Sequence, residues 1–222
     1  MREATTHRVR LDNLRLALSN FSAIILRNLN NLHTFISLSG DATPPVLETD
    51  KDAASEVRKQ CLLMMCLQAP MASDLKYTLA ALRIGQDYER LHELTASLAE
   101  RFSHLRKSGD TPLVEEVRNV LSHIISVHAS MRSTWSRDIY ETEQIVADPA
   151  AAAMIGVING ELNRLQKHYT NFLAQGKQGI EMCADLILTC RHLQRMTQLL
   201  ESLPEEMHCF EQSVDEMVPM LR

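Results

Sequence analysis

Turn-forming residues are scarce in this chain: glycine and proline number seven each among 222 residues, and aromatics make up only 5%. Sandwiches and barrels need a turn roughly every ten residues, so this scarcity speaks against them. No apolar run reaches the ~18 residues of a membrane-crossing helix, so no membrane insertion is expected. The first residues lack a hydrophobic signal core, and a cytoplasmic location is the default expectation. A formal charge of −5 gives no ground for a nucleic-acid partner. There is no P-loop, GxSxG, Rossmann glycine run or HExxH, and no Ser/His/Asp arrangement suggests itself, so the expectation is a non-enzyme. The cysteines Cys61, Cys66, Cys183, Cys190 and Cys209 form no CxxC, which disfavours structural zinc. They are expected to be small, mainly buried residues in a reducing compartment. The nine histidines are scattered and read as surface side chains.

What the chain has is helix formers: 45% hydrophobic residues, rich in Leu and Met, against 23% charged. That composition suits a soluble all-α protein. The stretch Gln68–Glu100 organises the rest. After Pro70 only Gly85 interrupts it before Ser108-Gly109, and apolar residues recur at helical spacing: Leu75, Leu79, Leu82, Ile84, Tyr88, Leu91, Leu98 and Phe102. A first helix is expected over His7–Ser39. There Leu11, Leu18, Ile25 and Leu32 repeat every seven residues, with Leu14, Phe21 and Phe35 beside them. Asn28 falls in this seam, either as a register device or because the seam rotates. Gly40 is a candidate C-terminal cap. A second helix should begin near Pro45 and end before Pro70. Acids crowd its first turns, but its register is open and none is assigned as a ligand. A fourth helix should open at Thr111-Pro112, a fifth at Asp148-Pro149 running through Leu173, and a sixth should span Ile180–Leu203. Gly156 and Gly160 should either weaken the fifth helix or permit close packing; Gly176 and Gly179 mark the turn after it.

The chemical content sits in DYERLHE, where Asp87, Glu89 and Glu93 are the candidate metal ligands. Glu89 and Glu93 are four apart and share a helix face. A hard cation between them would turn repulsion into attraction. The competing reading is a solvated acidic face opposite the apolar stripe.

The same helix resembles the signature of the PhoU family of phosphate-uptake regulators. Gln68, Pro70, Ala72, Asp74, Leu75 and Lys76 match its opening, and Ala81, Leu82, Arg83 and Ile84 its middle. Asp87, Glu89, Arg90, Leu91 and Glu93 match its end, with His92 where the family has Gly and Glu93 where it has Asp. The resemblance implies two pseudo-repeated three-helix bundles, over residues 1–108 and 109–222. It implies a regulator or adaptor of phosphate uptake and phosphate-starvation signalling, set between phosphate-transporter components and a membrane sensor kinase. It also implies a homodimer or larger assembly. Helix six supports the repeat: Arg195 falls where Arg90 falls, Leu193 with Tyr88, Met196 with Leu91 and Leu203 with Leu98. The family binds metal in both halves, but here Gln194 and Gln198 replace Glu89 and Glu93. At most one weak iron or zinc site is therefore expected, in the first repeat. Two other readings are a diverged interaction module with another partner and a di-iron bundle. The latter would use Glu89-x-x-His92 and Glu205-x-x-His208.

Overall fold

The protein is described here as a computed structural model covering residues 2–38, 43–49, 51–67, 72–107, 111–132, 149–174 and 180–217. Among the described residues there are six helices and no strand. They are α1 (Arg2–Ser37), α2 (Lys51–Leu67), α3 (Ala72–Lys107), α4 (Thr111–Arg132), α5 (Pro149–Ala174) and α6 (Ile180–Met217). The expected roles of Gly40, Pro70, Ser108, Gly109, Asp148, Gly176 and Gly179, and the matches at Gln68 and Pro70, lie outside the described residues.

At 36 residues α3 is about 54 Å long. It packs most extensively against α6. The two run antiparallel, since Arg83 reaches Glu206 at 3.1 Å while Arg101 reaches Asp185 at 3.0 Å. His104 meets the same Asp185 at 2.9 Å. By the same reasoning α1 runs parallel to α3. The Tyr77 hydroxyl donates to the Leu11 carbonyl, Asn28 meets His92, and Arg106 donates to the Leu38 carbonyl. Helix α1 also packs against α2 and α4, and α6 against α4 and α5. One apolar core takes side chains from all six helices. Among the described residues no helix is long and apolar enough to cross a membrane.

The α1 seam is buried throughout, from Leu11 to Phe35, with Leu29 and Ile36 broadening it. Several expectations are corrected. The second helix starts at Lys51, not near Pro45, because residues 43–49 are irregular and tied to α1 where Asn28 holds Glu48. Leu75 and Leu79 are exposed. The buried face of early α3 is instead Tyr77, Ala80, Ala81 and Ile84, turned inward by Tyr77, which stacks on Phe210 with ring centroids 4.0 Å apart. That contact also explains why α6 continues through Pro204 to Met217 instead of stopping at Leu203. Burial of Met207 and Phe210 offsets the roughly 3 kcal/mol that an interior proline costs. Among the described residues, Gly156 and Gly160 have no neighbour within 4 Å of where a Cβ would sit, so they serve no close packing there. His128 is not a surface residue but is 1% exposed, in the α4 stripe between Ile124 and Met131. Cys61, Cys183 and Cys190 are buried, while Cys66 and Cys209 are exposed; none of the five is in a disulfide.

Candidate functional site

Successive helix positions turn by about 100°, so the acids of DYERLHE cannot all face one way. Asp87 turns toward α6 and is mostly covered, 3.6 Å from Arg90. Burial pushes its carboxyl above the ordinary range. Arg90 pulls it back, Glu206 adds to the rise, and Arg195 lowers it. Glu89, about 200° round from Asp87, turns toward α2, where the Arg58 guanidinium donates to its Oε1. Glu93 lies on the Glu89 side and is exposed. The structure thus brings Glu89 and Glu93 to one face and sends Asp87 to another.

The α2–α3 face is close-packed for a reason written in one residue. A Cβ on Gly85 would come within 3.0 Å of Val57 Cγ1. The glycine therefore lets the two backbones approach, and a cleft of about 80 Å³ remains there. Ala54, Val57, Arg58, Leu82, Gly85, Gln86 and Glu89 line it. A cleft of that size holds a few water molecules rather than a drug-sized organic ligand.

On α6 the corresponding positions do different work. Gln194 Nε2 donates to Asn163 Oδ1 of α5 at 3.5 Å, and Gln198 Oε1 accepts from Arg195 at 3.3 Å. A multinuclear metal cluster needs several uncommitted carboxylates to balance its charge. Here Glu89 is held by an arginine, Asp87 faces another helix beside Arg90, and the second half offers neutral amides. Among the described residues, no three His, Cys, Asp or Glu side chains gather as metal ligands. The residues do not fit a multinuclear cluster. The Glu-x-x-His motifs are equally dispersed: Glu89 goes to Arg58, His92 Nδ1 lies 3.3 Å from Asn28 on α1, and Glu205 is exposed.

Arg58 is the residue that the sequence reading missed. Its signal was the repeat register: Glu89 corresponds to Gln194, and the same shift carries Arg58 onto Asn163. Each pair spans 31 residues, the first joining α2 to α3 and the second α5 to α6.

No family model matches the chain. It is similar to three curated proteins, each named a phosphate-specific transport system accessory protein PhoU homolog. The one from Deinococcus radiodurans is 21% identical over 175 residues, 78% of this chain and 79% of that protein. The Aquifex aeolicus protein is 23% identical over 161 residues, 71% of this chain and 66% of its own length. The Caulobacter vibrioides protein is 20% identical over 163 residues, 73% and 69% of the two chains. Among solved structures, PhoU from Pseudomonas aeruginosa superposes with a TM-score of 0.62 at 14% identity. The match covers 90% of this chain and 96% of that one. Signature helix, relatives and shared six-helix fold together support the resemblance to the PhoU family.

Proposed function

We propose that this chain is an accessory protein of phosphate transport that restrains the phosphate-starvation response when phosphate is ample. It does so by binding transporter components and a membrane sensor kinase rather than by catalysis. The observation that carries this reading is the similarity, over about three quarters of the chain, to proteins named as accessory to phosphate-specific transport. Long helical faces suit docking against partner helices, and affinity then comes from side chains at helical spacing. The reading includes self-association as a homodimer.

The test is deletion of the gene in cells grown in high phosphate. Derepression of phosphate-starvation genes, reversed by the intact gene, is the expected result. An unchanged response rejects the reading. Pull-down from native membranes should recover transporter or kinase subunits, and light scattering should give a mass above 25 kDa.

A further inference from the structure

We infer that Arg58 is this chain's own cation at the α2–α3 face, standing in place of bound metal. The inference holds whether or not the chain regulates phosphate uptake. Three observations carry it. First, the guanidinium of Arg58 donates to Glu89 Oε1, on the face where a cation would bridge Glu89 and Glu93. Second, the other half places Asn163 against Gln194 at the repeat-equivalent positions. Each half therefore holds an internally matched pair, cation with carboxylate and amide with amide, across the same two helices. Third, Asp87 does not join Glu89. It sits on the α6 side of the helix beside Arg90, so two carboxylates at most face any ion on the α2 side.

The chemistry of arginine makes this exclusive. A lysine or histidine can shed its proton and leave a site to a metal, but a guanidinium stays charged at any working pH. A multiply charged ion beside Glu89 would meet that fixed positive charge at close range. It would also find one carboxylate already spent. The positive charge is thus always present and independent of metal supply, and Gly85 lets α2 come near enough for Arg58 to reach.

The test uses the full chain purified without chelator, incubated with excess zinc sulfate or, under anaerobic conditions, ferrous sulfate, and then desalted for elemental analysis. The wild type should retain no more of either metal than the E89Q/E93Q variant does. Stoichiometric metal that is lost in the E89Q/E93Q variant overturns the inference. Metal that E89Q/E93Q retains is bound elsewhere and agrees with it. The pairing has its own test. R58E should melt lower by about 2–4 °C, and the charge-swapped R58E/E89R should recover most of that loss. R58N/E89Q, copying the second half's pair, should melt close to the wild type and keeps the comparison open if R58E does not fold. A charge-swapped protein that melts no higher than R58E, or an R58N/E89Q protein that melts well below the wild type, rejects the pairing.

Discussion

Asn28, wholly buried in the α1 seam, grips the backbone of Glu48 from both sides. Its Nδ2 donates to the Glu48 carbonyl at 3.1 Å and its Oδ1 accepts from the Glu48 amide at 2.9 Å. One side chain thus satisfies both polar groups of a residue that has no helix or strand to do so. The segment before α2 is thereby laid along α1, with Leu47 turned onto the core. Arg27 adds a bidentate contact to the Glu48 carboxylate at 2.7 Å, which holds that carboxyl below its usual range.

Asn28→Ala should therefore destabilise the protein by about 2–3 kcal/mol, since it strands two backbone groups and opens a small void. Glu48→Ala keeps its backbone and should leave stability almost unchanged, because the carboxylate it removes is exposed. Urea unfolding of both variants checks the contrast. Equal losses would mean that the side-chain ion pair holds the segment.

His128 should make the protein acid-sensitive. The ring is buried against Tyr88, with centroids 6.0 Å apart, and neither nitrogen has a hydrogen-bond partner among the described residues. Burial, helped by Arg132, pushes its pKa from 6.5 down to about 4. The unfolded chain takes up this proton near 6.5 and the folded chain only near 4. Stability is therefore full above pH 6.5 and is lost progressively down to pH 4, by about 3 kcal/mol from this residue. His128→Leu should flatten that limb of the pH–stability curve and raise stability at neutral pH. An unchanged limb would place the titration elsewhere.

Gly85→Ala should destabilise by about 1 kcal/mol, although alanine is the better helix former. Val57 is buried and β-branched, so its γ-methyl cannot swing away from the new Cβ. The double variant Val57→Ala with Gly85→Ala should cost less than the sum of the two single changes. Strict additivity in denaturant melts would show that the two residues do not meet.

Gly156→Ala and Gly160→Ala should do the opposite, each raising stability by up to about 1 kcal/mol. Both are exposed in α5 with open space where the methyl would go. Calorimetry should show a melting temperature raised by about 2–4 °C per substitution; a drop would mean that a partner surface fills that space.

Sequence alone determined the helical class, the helix order, the α1 seam and the signature on α3. These follow from apolar residues recurring at the helical period and from scarce breakers, both local properties. It also showed amides at Gln194 and Gln198, 105 residues after Glu89 and Glu93, a spacing that can be read without coordinates. What it misjudged was every feature set by a neighbour distant in sequence. Pro204 reads locally as a stop, yet α6 runs on because Phe210 stacks against Tyr77 from another helix. Pro45 reads as a helix start, yet the chain stays irregular because Asn28 holds Glu48. His128 reads as one more polar residue, yet three helical turns of apolar neighbours carry it inside. Asp87, Glu89 and Glu93 read as one acidic trio. Only the packing of α2 and α6 on opposite sides of α3 decides that Asp87 answers to one helix and Glu89 to Arg58 on the other. A helix sets the angle between its side chains by itself; what lies at the end of each angle is a long-range contact, and only the tertiary structure supplies it.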